Sequence, residues 1–431
     1  MEGPKNGFEV LGLFLLLSIV GVPLAVSMGL SAITYILISG IPVATVAHRM
    51  GNAVNSFPLL AVVLFIFVGS LLNATGITPR LYEMAKAVVG RVRGSLAYVN
   101  VFTNLVMAGI SGAALADIGA LGTIQIKAMK EQGYRADISA AITAAAATVG
   151  PIFPPSIPLI IYAGIAEISG VRLLIAGILP AFVIVACQCV HIWFLGRKHN
   201  FPVETRKIPW AEKGRIFLAG LPALMTPIIL VAGLLLGWFG PTELAAFTVF
   251  YSLFLGKFVY RKLTWDNAIQ AAKETIRSTA IIMFVVSSAA IFAWVLTVEQ
   301  LPSQMSEIML KVSKNPVVLL MIVNGMLLIV GMFMETIAAL MVMTPLIAPP
   351  LHEAGVDPIH LGLIVVFNLM IGLLTPPVGM SLYMVSIISK VPVTQMARVI
   401  WPFLVPLLVA LLLVTIFPPL ATWLPDLIFR K

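Results

Sequence analysis

Gly150-Pro151-Ile152-Phe153-Pro154-Pro155-Ser156-Ile157-Pro158 lies inside a stretch, 138–166, that contains no Asp, Glu, Lys or Arg. Prolines at 151, 154, 155 and 158 remove backbone donors and cannot continue a helix. The run before them, Ile138 to Thr148, would make a helix of only about 17 Å. That is too short for a hydrocarbon core of about 30 Å. A second stretch, Gly372-Leu373-Leu374-Thr375-Pro376-Pro377-Val378-Gly379, interrupts the uncharged run 358–389 in the same way. Irregular backbone at membrane depth is tolerated only when it is buried in protein or faces a watery cavity. Two such breaks therefore predict a polytopic membrane protein with an internal site.

The composition agrees. Of 431 residues, 60% are hydrophobic and 10% charged, against about 25% charged in soluble domains, and mean hydropathy is +1.04. A water-soluble enzyme, a disordered chain and a disulfide-stapled secreted domain are excluded. Cys187 and Cys189, two apart in an apolar run, have neither zinc-site nor disulfide spacing. The formal charge of +9 comes from basic residues between apolar runs, as the positive-inside rule expects. No nucleic-acid motif is present, and the bilayer is the expected partner. Only Lys5 precedes the first apolar stretch and no small-residue cleavage site closes it, so it reads as a retained membrane segment. Run 10–48 has room for two short helices. Between the basic segments 197–215 and 257–277, residues 216–256 lack Lys and Arg, which predicts two spans joined outside, with both basic segments cytoplasmic.

The chain also repeats. Shifted by 222 residues, Gly109 falls on Gly331, Gly133 on Gly355, Gly150 on Gly372, Pro154 and Pro155 on Pro376 and Pro377, and Glu131 on Glu353. The coincidences concentrate on residues that fix unusual backbone. The division expected is a first half, 1–196, with its break near 150–158; a cytoplasmic linker, 197–216, with an amphipathic helix or an ordinary loop; and a second half, 217–431, with its break near 372–379. Broken helices at matching positions of two halves point to a transporter's binding site.

Ionisable groups in such surroundings are functional candidates by default. Asp117 follows Gly109-Ile110-Ser111-Gly112, and Glu335-Thr336 follows Gly331. These small-residue segments correspond in the two copies and bring oxygen donors near the breaks, which suits a hard cation; the competing reading is that each acid caps a helix. Ser156, Asn368, Thr375 and Ser381 are further oxygen donors, each also suited to tying helices together. Glu243 reads as a first-turn acid behind Pro241, and His360 as a loop residue rather than a ligand. No paired-histidine motif, phosphate-binding loop or nucleophile with its base is found, so the chain is not expected to be an enzyme and no cofactor is implied beyond coupling ions.

The stretches Gly133–Gly164 (GYRADISAAITAAAATVGPIFPPSIPLIIYAG), Gly237–Ala246 (GWFGPTELAA), Gly355–Gly362 (GVDPIHLG) and Asn368–Gly379 (NLMIGLLTPPVG) resemble the large membrane subunit of tripartite ATP-independent periplasmic (TRAP) transporters. The resemblance runs over essentially the whole chain. It implies an all-α polytopic protein of the elevator-type ion-transporter superfamily, with two inverted repeats and two re-entrant hairpins. It further implies a bacterial inner-membrane location, a small membrane subunit and a periplasmic substrate-binding protein as partners, and sodium-coupled uptake of a small anionic organic solute. Carried onto this chain, the hairpin tips are Gly150 to Ser156 and Gly372 to Gly379, and the sodium sites lie by these breaks and by Gly109 to Ala113 and Gly331 to Thr336. Many relatives place a second hydroxyl residue after the Ser-Gly of the first segment, where this chain has Ala113; a site using that hydroxyl would lose one ligand. An anion transporter of the same superfamily acting without a binding protein is the alternative.

Overall fold

In lipid each backbone N–H and C=O must be paired within the protein, and a helix does this segment by segment. The computed structural model describes residues 7–204, 209–237 and 239–429, and among these every regular element is helical, apart from one isolated bridge between Arg93 and Val203. Lys5, Arg206, Lys207 and Trp238 lie outside the described residues.

Two kinds of helix follow from length. Gly170–Lys198, Trp210–Leu235, Pro241–Val259, Trp265–Val298 and Pro316–Phe333 are each long and apolar enough to cross a bilayer. Several carry large apolar side chains outward, as Leu218 and Phe250 do at 69% and 72% exposure. Run 10–48 holds the short helices Gly7–Ile19 and Leu24–Ile38. Glu243 sits in the first turn of a helix opened by Pro241. Lys213 and Arg215 lie on the opening turns of the 26-residue helix that begins at Trp210, with no separate short helix before it in the described part of the linker.

Eight segments form the centre, the span Pro316–Phe333 among them. They are α1 (Ser95–Ser111), α2 (Ala114–Glu131), α3 (Ala136–Ala146), α4 (Ile157–Ile165), α5 (Pro316–Phe333), α6 (Thr336–Glu353), α7 (Pro358–Gly372) and α8 (Met380–Ser389). Displaced by 222 residues, α1–α4 overlie α5–α8, and α2 and α6, 18 residues each, coincide end to end. Each copy breaks twice, once between its first two helices and once at the Pro-Pro pair between its last two.

The breaks are shielded by protein. Every residue of α3 from Asp137 to Ala146, and of α7 from Ile359 to Gly372, is buried. Small side chains make this enclosure close: α3 reads Ala-Asp-Ile-Ser-Ala-Ala-Ile-Thr-Ala-Ala-Ala, and small residues let helix backbones approach where no hydrophobic force drives association in lipid. The two copies are interleaved. The helix after the first Pro-Pro break, α4, packs on α6 and α7 of the other copy, and α8 packs on α2 and α3 of the first. Neither half encloses its own Pro-Pro break.

A close backbone-to-backbone approach joins α5 to α7. A Cβ on Gly372 would lie 2.6 Å from the Gly331 Cα, and one on Gly331 would lie 3.0 Å from the Gly372 Cα. Overfilling such a contact forces backbone shifts worth about 1–3 kcal/mol. Gly372→Ala is therefore expected to lower the thermal midpoint of the detergent-solubilised protein. Gly325→Ala, on the same helix α5 with nothing within 4 Å of the added carbon, should leave it unchanged or raise it slightly.

Candidate functional site

The first break opens where α1 ends at Ser111. Gly112 takes a left-handed φ of 64°, Ala113 is extended, and α2 starts at Ala114. The tip formed by the Pro-Pro segment is seated on this gap: Ile157 N donates to the Gly112 carbonyl at 3.3 Å. A Cβ on Gly112 would stand 2.1 Å from the Pro155 carbonyl oxygen, so both the backbone angle and the space demand glycine. Ser156 caps α4 by accepting from Leu159 N at 3.1 Å and donates to the Pro151 carbonyl at 2.5 Å. Its hydroxyl shapes its own tip. The Pro154–Pro155 peptide is cis, as is Pro376–Pro377.

Asp117 faces this tip from the first turn of α2. It is fully buried, and Ser111 Oγ donates to its Oδ1 at 2.5 Å. Its Oδ2 has no hydrogen-bond partner. The open oxygen points at Gly150, where an added Cβ would lie 2.5 Å from it. Ser111, Gly112, Asp117, Gly150 and Pro155 thus converge, although the sequence separates them by more than thirty residues.

The second break has a different chemistry. α5 ends at Phe333, and Glu335 is the N-cap of α6, its Oε2 accepting from Ile337 N at 2.8 Å and Ala338 N at 3.3 Å. The capping reading of the two acids therefore describes Glu335 and not Asp117. Gly379 N donates to the Met332 carbonyl at 3.3 Å, seating the second tip much as Ile157 seats the first. Thr375 Oγ1 donates to the Ile371 carbonyl at 2.8 Å. Thr336 Oγ1 is buried without a partner. The two breaks adjoin, because Ala114 at the start of α2 packs with Met370 and Leu373 at the end of α7.

Other residues named from sequence lie elsewhere. Gly109 packs against the Trp210–Leu235 helix, where its Cβ would meet Pro227 at 2.3 Å, while its counterpart Gly331 packs on Gly372. Asn368 donates to Asn324 Oδ1 at 2.8 Å, and Asn324 donates to Thr415 Oγ1 at 3.0 Å, so it ties α7 to α5 and to the Trp401–Ile416 helix. His360 is not a loop residue: it sits in the first turn of α7, buried, with Nε2 2.8 Å from the Val414 carbonyl oxygen. Sequence reading passed over a second polar tie. Asn100 donates to Thr143 Oγ1 at 2.7 Å, and Asn104 donates to Asn100 Oδ1 at 2.9 Å and Gln125 Oε1 at 3.4 Å, all four fully buried. Two asparagines one helical turn apart in the uncharged run 94–116 were the available signal.

Paired, enclosed backbone breaks in an all-helical membrane protein are an arrangement that many transporters share. The chain matches, over residues 11–420, the family described as "Tripartite ATP-independent periplasmic transporter, DctM component". It is 38% identical to the sialic acid TRAP transporter large permease protein SiaM of Vibrio cholerae, covering 94% of this chain and 95% of that protein. It is 36% identical to the C4-dicarboxylate TRAP transporter large permease protein DctM of Pseudomonas aeruginosa, covering 93% and 94%. Its fold is similar to the crystal structure of the Alcanivorax borkumensis YdaH transporter, with TM-score 0.63 at 14% identity over 97% of this chain and all of that one. The chain belongs to the DctM family of TRAP transporter large permeases. These relatives are named as transport proteins, in keeping with the expectation that the chain is not an enzyme.

If Glu335 serves as a cap, Glu335→Ala costs about 1 kcal/mol of stability and Glu335→Asp recovers most of it. Thermal unfolding in detergent of the two variants beside the parent protein measures this.

Proposed function

We propose that this chain is the translocating subunit of a bacterial inner-membrane importer of a carboxylate-bearing organic solute, driven by sodium and moving as an elevator. It would work with a small membrane subunit and a periplasmic substrate-binding protein. Sialic acid and C4-dicarboxylates, the solutes in the relatives' names, both carry carboxylates.

The observation that carries the sodium reading is the buried Asp117 with its unpartnered Oδ2 aimed at the first tip. An ionised carboxylate away from water is tolerated only with a compensating partner. Sodium supplies that charge and prefers oxygen donors. Asp117, the Ser111 hydroxyl and carbonyls of the Gly112 and Gly150 turns are the donors that would hold it. Ala113 leaves the site one hydroxyl short of the pattern in many relatives, which shifts the burden to the carboxylate and carbonyls. Occupation would cancel negative charge beside the tips and make room for an anionic solute, so the two bind in concert.

The elevator reading rests on the interleaving of the copies. The helices flanking each Pro-Pro break are held by helices of both copies, and parting a tip from its gap would expose backbone groups in lipid. Moving the eight central helices as one body past the other long helices leaves those bonds intact.

Uptake of labelled solute in proteoliposomes containing both partner subunits tests the proposal. An inward sodium gradient should drive accumulation, and replacing sodium by choline should abolish it. Loss of a charged ligand oxygen is worth about tenfold or more in affinity, so Asp117→Ala should raise the half-saturating sodium concentration by at least that factor. Uptake that persists unchanged without a sodium gradient would overturn the coupling.

A further inference from the structure

Where the Pro241–Val259 span meets the helix Trp265–Val298, a cavity of about 370 Å³ opens on the protein surface. Phe250, Phe254 and Phe258 form one wall and Trp265 the other, with Leu253 and Leu263 between them. Phe250 and Trp265 are 72% and 81% exposed, so the cavity is a groove open along one side. Its shape comes from the backbone. The chain widens into a π-helical turn over Leu255–Val259, a form frequently found at functional sites. Phe258 stays beneath Phe254, the ring centroids 5.4 Å apart. Arg261 then takes a left-handed φ of 53°, and both Lys262 N and Leu263 N donate to the Gly256 carbonyl, which turns the chain back sharply into the next helix.

One charged side chain lines this apolar groove. Lys257 lies on its wall and has no carboxylate or other hydrogen-bond partner among the described residues. Thr264, the remaining polar lining residue, is engaged as the N-cap of the next helix, accepting from Asn267 N at 3.2 Å. The connection carries Lys257, Arg261 and Lys262 against the single acid Asp266, so the rim is positive. Lys262 reaches toward Gly76 and Arg80 lies over the Tyr260 ring at 4.1 Å, leaving Lys257 as the cation facing the groove.

We infer that this groove is a binding site for an anionic phospholipid, with one acyl chain along Phe250, Phe254 and Leu263 and the phosphate on Lys257. An acyl chain satisfies the aromatic walls, and an unpaired ammonium at the membrane edge selects a negative headgroup over a zwitterionic one. Each lysine near the surface contributes about fivefold in affinity for anionic lipid. The site is remote in sequence from both Pro-Pro tips and does not depend on the transport reading.

The test is native mass spectrometry of the full chain in neutral detergent, titrated separately with phosphatidylglycerol, phosphatidylcholine and inorganic phosphate. One phosphatidylglycerol should be retained about fivefold more tightly than phosphatidylcholine. Lys257→Gln should remove that preference, and Leu253→Trp, which fills the groove, or Phe254→Ala, which removes a wall, should weaken both lipids. Equal retention of the two lipids, an undiminished preference in Lys257→Gln, or displacement by inorganic phosphate would overturn the proposal. So would loss of phosphatidylglycerol when the small membrane subunit is added and crosslinks at position 254, which would make the groove a helix-docking surface.

Discussion

A peptide group in hydrocarbon must find its hydrogen-bond partner inside the protein, and the centre of this molecule is arranged around the four places where the helices stop short. At each tip the second residue after the Pro-Pro pair donates its N–H across the gap, Ile157 to Gly112 and Gly379 to Met332. Tip and gap satisfy one another. The fully buried arms α3 and α7 then keep lipid away from both.

This mutual satisfaction explains the interleaving. A Pro-Pro break enclosed only by its own copy would leave one face of the helix that follows it to lipid beside unpaired backbone. Exchange of α4 and α8 between the copies closes that face. It also brings the two breaks together through Ala114, Met370 and Leu373. The copies share architecture and differ in chemistry: Asp117 offers an open carboxylate oxygen in the first, whereas Glu335 spends its carboxylate on the helix start in the second. Asparagine ties, Asn100 to Thr143 and Asn324 to Asn368, hold each hairpin to the helix before its gap.

Much of this was legible in the sequence. Proline cannot continue a helix, so the Pro-Pro pairs and their 222-residue spacing exposed both helix breaks. Length alone separated spanning helices from arms too short to cross. The approach of Gly331 to Gly372 was hidden, because a contact between backbones leaves no periodic mark; the two glycines registered only as repeated punctuation. Gly109 misled for the same reason, since identical residues at equivalent positions meet different neighbours. The roles of Asp117 and Glu335 could not be separated either, because a carboxylate near a helix start suits a cap and an ion equally until its hydrogen bonds are known. Asn100, Asn104 and Gln125 were passed over because asparagine and glutamine in an apolar helix carry no charge to flag them.

The central claim is that the gaps and tips form one cation and solute site inside a body that moves as a unit. A cryo-electron microscopy structure of the assembled transporter with sodium and bound solute tests it most directly. The account predicts cation density within coordination distance of Asp117 Oδ2 and solute density against the tips at 150–156 and 372–379, with the Ile157–Gly112 and Gly379–Met332 bonds intact. Solute density remote from both tips, or a cation site that excludes Asp117, would contradict it.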